Sequence, residues 1–219
     1  MRARGFSLIE LLVVVAILMI LIGLALPAIS SSRDQARLTV QTARIRDNAL
    51  LISMYADANA ERYPIGAEHP ENASLYWWRP LVDSGLLESM EQADPEWSAR
   101  NEGNPRYAMS FAMCYDPDRM TPGGVVPYAD ARTSPIRQSQ VHYPSDKGLM
   151  WQWWVWTGDW RGHWCCAPVH PLGPIAMADL SAESGRWPDY VEDGKLVRQE
   201  GIGGPIMSTW HGVRGRDRR

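Results

Sequence analysis

Residues 1–29 read MRARGFSLIELLVVVAILMILIGLALPAI. Two arginines, Arg2 and Arg4, precede Gly5, and after Phe6 and Ser7 an apolar run begins that only Glu10 interrupts. Residues 11–26 carry no charge and no side-chain hydrogen-bonding group. A span of about 20 apolar residues crosses a bilayer as a helix, because in hydrocarbon the backbone groups are satisfied only within the segment. The run from Phe6 to Ile29 is long enough, and Arg2 and Arg4 set its N-terminus on the cytoplasmic side. Glu10 is the residue a plain anchor does not need. Insertion scales put an acid at the centre of a membrane helix at about 2.5 to 3.5 kcal/mol. Near the helix start the macrodipole lowers that cost. An ionisable residue in a membrane segment points to a function and a partner. An amine fits: a cut between Gly5 and Phe6 would give Phe6 a positive terminus that a neighbouring subunit offers to Glu10 in low dielectric.

These residues carry a resemblance. Gly5-Phe6-Ser7-Leu8-Ile9-Glu10 after a short basic leader resembles the cleavage motif of type IV pilins and the pseudopilins of type II secretion. The resemblance implies that a prepilin peptidase cuts after Gly5, that Phe6 becomes N-methylated, and that Glu10 guides assembly with other pilin or pseudopilin subunits at an inner-membrane platform. It covers roughly the first quarter of the chain. A secretory signal also has a basic start and small residues such as Ala25 and Ala28, but Glu10 intrudes on its apolar region and the run is too long. A single-span anchor explains the length without explaining Gly5, Phe6 and Glu10 together.

Beyond the membrane run, residues 30–59 keep helical spacing. Ala36, Val40, Ala43, Leu50, Met54 and Ala58 recur at three, four and seven residues and predict the face laid on the rest of the molecule. One helix from Phe6 to about Asn59 would reach roughly 80 Å at about 1.5 Å per residue. Pro27 removes a backbone donor and crowds the carbonyl of Gly23, so a kink or a locally melted turn is expected between Gly23 and Pro27. In the family that this stretch resembles, a proline here marks a segment that can lose helicity in the filament.

The remaining residues, about 160, suit one globular domain. Residues 61–74 read as a polar loop, and 75–90 as one or two short helices broken near Pro80 and Gly85, with Leu75, Trp78, Leu81, Val82, Leu86 and Leu87 facing the core. Tyr107, Met109, Phe111 and Met113 alternate as in a half-buried strand over 106–114. Residues 116–140 read as a surface excursion, 147–156 and 175–180 as strands, and 190–198 as a hairpin turning at Asp193-Gly194. The fold class is α+β: a long N-terminal helix, membrane-spanning in its first half, packed on a mostly antiparallel sheet. Domains follow as a cleaved leader (1–5), a transmembrane and assembly helix (6–29), its amphipathic continuation (30–59), and a β-rich head with a flexible basic tail (60–219). The stretches 143–150 and 170–179 are similar to the central strand and closing strand of larger pilin-like proteins, with Leu180 where those have glycine.

The chain has a net charge of −3, and removing Arg2 and Arg4 leaves 20 basic against 25 acidic residues, −5. That argues against nucleic acid as the main partner. Cys114, Cys165 and Cys166 allow a disulfide between Cys114 and either of the vicinal pair in an exported domain. His163, Cys165, Cys166 and His170 match no zinc spacing. Asp116 and Asp118, or Asp189, Glu192 and Asp193, lack the order of a calcium loop. No nucleophile elbow, P-loop or His-Glu-x-x-His is present, so no catalytic residue, cofactor or metal is assigned and the chain does not read as an enzyme.

Trp151, Trp153, Trp154 and Trp156 crowd one predicted strand. Trp154 and Trp156 share a parity that faces away from the pair Trp151 and Trp153, either covered by loops or open as a ligand or partner surface. The arginines at 214, 216, 218 and 219 read as a solvated tail, or as a contact for an acidic neighbouring subunit. The function that follows is a pilin-like structural subunit of the inner membrane, head outside, later in a periplasmic or surface filament, with membrane lipid as a further partner. The subunit reads as a minor one because its head is large. The alternative is a membrane-tethered ligand- or glycan-binding module.

Overall fold

A computed structural model describes residues 8–68, 70–95, 105–120, 132–152, 154–157, 160–163, 173–185 and 211–218. The chain divides into two compact units, Met1–Val40 and Gln41–Arg219. Helix α1 spans Leu8–Ala58 without interruption and holds Pro27 inside it. Of the kink or locally melted turn expected between Gly23 and Pro27, the turn itself is helical in this structure. Pro27 lacks only its own N–H, and the i→i−4 bonds on either side hold the helix across one missing donor.

In the second unit, α1 buries Ile45, Asn48, Ala49, Ile52 and Ala56. Their spacing of three, four and seven defines one stripe. This is not the stripe expected from the sequence. Val40, Leu50 and Met54 are 48%, 46% and 46% exposed, and Ala36, Ala43 and Ala58 are exposed too. Both stripes have helical spacing, and polar partners decide between them. Asn48 Nδ2 donates to the Ala93 carbonyl (3.2 Å), and Arg44 Nη1 lies 3.3 Å from the buried Asp94 carboxylate, which also holds Arg106 Nε at 2.9 Å.

Three short helices follow: α2 (Pro70–Leu75), α3 (Arg79–Asp83) and α4 (Met90–Ala93). Pro80 sits in the first turn of α3, where its missing donor is harmless, so it opens a helix instead of breaking one. Gly85, at φ +77°, ends α3, and the Leu86 N–H donates to the Leu81 carbonyl. Leu81 and Leu87 are buried as expected, and Trp78, Val82 and Leu86 are partly buried against the same core; Trp77 is buried as well, its indole N–H donating to the Tyr107 carbonyl at 2.9 Å. That bond and the one from Ser74 Oγ to the Met109 carbonyl occupy backbone acceptors of strand β1 (Tyr107–Met109).

β1 is shorter than the predicted strand over 106–114. Ser110 Oγ accepts the Ala112 N–H and starts a 3-10 turn at Phe111–Met113, and the whole stretch is buried. β2 (Gly148–Gln152), β5 (Gly173–Met177) and β6 (Ala182–Gly185) complete an antiparallel sheet of order β1-β2-β5-β6. The predicted 147–156 strand is two strands. Its end, β3 (Trp154–Thr157), pairs instead with β4 (Trp160–His163) in a separate hairpin. Between β5 and β6, Leu180 takes φ +68°, a conformation costing a side-chain residue about 1–2 kcal/mol. The hairpin expected at 190–198 lies outside the described residues. The fold class is α+β.

The expected solvated tail is instead docked. Val213 and Asp217 are fully buried; Asp217 Oδ1 lies 3.0 Å from Lys147 Nζ, itself fully buried, and Asp217 Oδ2 accepts the Gly148 N–H at 2.8 Å. Arg214, Arg216 and Arg218 pair with Asp118, Asp146 and Glu183 of the same chain. One buried acid among four arginines pulls the segment down.

Lys147→Ala leaves the Asp217 carboxylate buried without its cation, and urea unfolding should show a loss of about 3–5 kcal/mol. The double variant Lys147→Met with Asp217→Leu should recover most of it. Ile52→Ala should cost about 2–5 kcal/mol by the same measurement, while Met54→Ala on the opposite face should stay within about 0.5 kcal/mol.

Candidate functional site

The front of α1 is a surface that none of the described residues covers. Every apolar residue named from Leu8 to Ile29 is exposed, from 81% at Leu8 to 42% at Val15. By length and composition the helix can cross a membrane. An uncovered apolar surface of this extent requires lipid or other apolar helices.

Glu10 stands in the first turn of α1 and is exposed. There the unsatisfied N–H groups of the helix start favour a carboxylate. Gly5 and Phe6, the expected processing residues, lie outside the described residues. A Cβ built at Gly23 meets nothing within 4 Å, so packing inside this chain does not demand a glycine there. Beyond Pro27, Ser30 Oγ donates to the Pro27 carbonyl (2.9 Å) and Ser32 Oγ to the Ala28 carbonyl (2.8 Å). These hydroxyls turn inward onto the helix backbone, which satisfies them without water and tends to bend the helix slightly.

The other candidates are dispersed. Cys114 is fully buried, and its thiol donates to the Phe111 carbonyl, with Sγ 3.4 Å from the oxygen. Burial pushes that thiol far above the ordinary cysteine range. Its expected disulfide partners, Cys165 and Cys166, lie outside the described residues, as do His170, Asp189, Glu192 and Asp193. Asp116 Oδ1 accepts the Asp118 N–H at 3.0 Å, and Asp118 pairs with Arg214 at 2.6 Å, so both acids serve a turn and its neighbour. Among the described residues no group of three or more His, Cys, Asp or Glu is placed to hold a metal ion. Trp154 and Trp156 lie in β3, with His163 across from Trp154 in β4.

Sequence reasoning missed two ionic clusters, Arg44–Asp94–Arg106 and Lys147–Asp217, because Arg44 lies 50 residues from Asp94 and Lys147 lies 70 from Asp217. A lone lysine between Asp146 and an apolar strand was the one available hint of the second.

Residues 1–26 match the model of the prokaryotic N-terminal methylation motif, the signature of type IV pilins and pseudopilins. The motif and the long apolar N-terminal helix fit anchoring in an inner membrane. The motif implies processing by a prepilin peptidase and assembly with other pilin subunits, and the families that carry it are in general structural. No curated protein and no solved structure matches the chain.

Burial holds Cys114 protonated above pH values near 8.5, where an unfolded chain releases that proton. A raised folded pKa means that the stabilisation is fully present below about pH 8.5 and declines as pH rises toward the folded value. Urea midpoints measured from pH 7 to 10 should therefore fall less steeply for Cys114→Ala than for the parent chain. Parallel slopes would contradict the assignment.

Proposed function

On the premise of the methylation motif at residues 1–26, we propose that this chain is a pilin-like structural subunit of a type IV pilus or a type II secretion pseudopilus. In this reading a prepilin peptidase removes residues 1–5 and Phe6 is N-methylated. The front of α1 stays in the inner membrane, with its N-terminus cytoplasmic and the head outside, until an assembly platform moves it into a filament. The size of the head supports a minor subunit. The observation that carries the proposal is the coincidence of the motif with a helix whose apolar front is wholly uncovered and carries a single acid, Glu10.

The physical logic is one of deferred burial. In the membrane, lipid covers the apolar front and Glu10 sits near the helix start, where its cost is smallest. In a filament the same surface meets sister helices, and Glu10 meets the Phe6 amine of a neighbour. Two charges of opposite sign in low dielectric are each costly alone and tolerable together, so the pair selects one axial position among apolar surfaces that could otherwise slide. Gly23 and Pro27 then sit where the helix is least reinforced: one residue lacks a side chain, the other a donor.

Glu10→Ala should insert as well as the parent or better, and should still be cut, since the cleavage site is unchanged. Its assembly should fail, because the neighbour's amine is left unpaired at a loss of several kcal/mol when fully buried. Glu10→Gln should fall between. Crosslinking between subunits, scored beside membrane abundance, reads this directly. An alanine variant that co-assembles as well as the parent removes Glu10 from assembly. Gly5→Leu should block cleavage, and accumulation of the uncut chain on a gel shows it.

A further inference from the structure

Lys147 and Asp217 lie 70 residues apart in the chain and side by side in the head, both fully buried. Lys147 Nζ stands 3.0 Å from Asp217 Oδ1, and Asp217 Oδ2 accepts the Gly148 N–H at 2.8 Å. The main chain around both residues is tied down. The N–H groups of Asp217 and Arg218 donate to the Asp146 carbonyl at 2.8 and 3.1 Å, and the Ala178 N–H donates to the Lys147 carbonyl at 2.8 Å. Val213 is fully buried, and its carbonyl accepts the His142 N–H at 3.2 Å. The amine and the carboxyl group cannot part without breaking several of these bonds.

A primary amine and a carboxyl group held together are the two halves of an amide, and a lysine nitrogen attacks carbonyl carbon once it is uncharged. Well-oriented groups about 3–3.5 Å apart react at effective molarities of about 10⁵–10⁸ M. Nζ already touches Oδ1, one bond from the carbon it would attack. Burial acts on the balance between condensation and hydrolysis, because a site closed to solvent lacks the excess of water that drives an amide back. The Gly148 N–H adds a fixed donor at Oδ2, the oxygen on which negative charge collects when that carbon becomes tetrahedral.

From this geometry we propose that Lys147 and Asp217 are the site of an intramolecular isopeptide bond that the folded head forms on itself. The step balances without a co-reactant. The ammonium passes one proton to Oδ1, leaving a neutral amine against a carboxylic acid. The Nζ lone pair attacks Cγ, and charge collects on Oδ2 under the Gly148 N–H. A second proton passes from Nζ to Oδ1, the Cγ–Oδ1 bond breaks, and one water leaves. The product is an Nζ–Cγ amide that keeps one N–H, with Oδ2 as its carbonyl oxygen; nothing is oxidised or reduced. The amide closes residues 147–217 into a covalent ring, so force on the 211–218 segment loads a covalent bond instead of an ion pair. The urea comparison of Lys147 and Asp217 variants concerns the ion pair, the state of the head before the bond forms. The inference goes beyond the filament reading and does not rest on it.

The test uses the full chain, made without prepilin peptidase so that its N-terminus is unchanged. The chain is held folded in detergent micelles, then denatured and weighed by mass spectrometry. The parent should be lighter than its sequence mass by one water. Trypsin does not cut beside an acylated lysine, so the digest should contain residues 138–161 uncut at Lys147, with Asp217-Arg218 joined to that lysine as a branch. Lys147→Met with Asp217→Leu should keep its full sequence mass. So should Lys147→Arg, whose guanidinium keeps the charge but does not form the amide. The branched peptide is read in the parent itself, so it decides the question even if a variant misfolds. A parent of full sequence mass, with trypsin cutting after Lys147, overturns the proposal and leaves an ion pair. A water loss that persists in the double variant, or that maps to a peptide without Lys147, overturns it as well.

Discussion

An apolar helix surface that none of the described residues covers is the constraint on which the rest of this molecule depends. From Leu8 to Ile29 the side chains of α1 are exposed. Water is an untenable solvent for that surface, so lipid or other apolar helices must supply the contact. The sequence around it meets the demands of such surroundings. The backbone stays helical through Pro27, and the hydroxyls of Ser30 and Ser32 are satisfied by the carbonyls of Pro27 and Ala28. The single acid, Glu10, lies in the first turn, where the helix itself offers partial positive charge. The chain thus satisfies its polar groups internally and leaves its apolar ones for a partner.

The back of α1 obeys the opposite rule. Ile45, Ala49, Ile52 and Ala56 are fully buried in the head, and two polar residues on the same side, Arg44 and Asn48, reach Asp94 and the Ala93 carbonyl. Arg106, at the start of β1, meets the same carboxylate. Asp94 therefore joins the helix to the edge of the sheet. Lys147 and Asp217 do the corresponding work at the other end of the sequence, fixing the 211–218 segment beside the start of β2. Buried ion pairs add little net stability against an apolar core but strongly penalise any arrangement that separates them. In this head they specify which segments meet.

Where the physics is local, the sequence was readable. The run at 1–29, its one acid and its glycine-phenylalanine junction required no knowledge of the rest of the chain, and the family model matches that stretch. Helix α1, the antiparallel sheet and the burial of Leu81 and Leu87 followed from spacing. Where two local patterns were equally good, the choice depended on distant partners. The stripe through Val40, Leu50 and Met54 has as good a helical period as the buried one, and the partners of the buried stripe, the Ala93 carbonyl and Asp94, lie some 45 to 50 residues away. The strand predicted over 106–114 ends early because Ser110 turns back to cap a 3-10 turn. The arginine-rich tail reads as solvated from its composition; the placement of residues 211–218 is set by Asp217 and by a lysine 70 residues away. Of the candidate site, Glu10 was legible as an anomaly of charge in an apolar run, whereas the register that pairs Trp154 with His163 is a property of strand pairing that no local pattern contains.

The central claim is that the uncovered helix is prepared for assembly by a cut that gives Phe6 a free amine. The most direct measurement is the intact mass and N-terminal sequence of the chain isolated from its native membrane. The account predicts loss of MRARG and a chain beginning at Phe6 with one added methyl group. A native chain that begins after Ala28, or one that keeps Met1 through Gly5 in a membrane containing active prepilin peptidase, would contradict it.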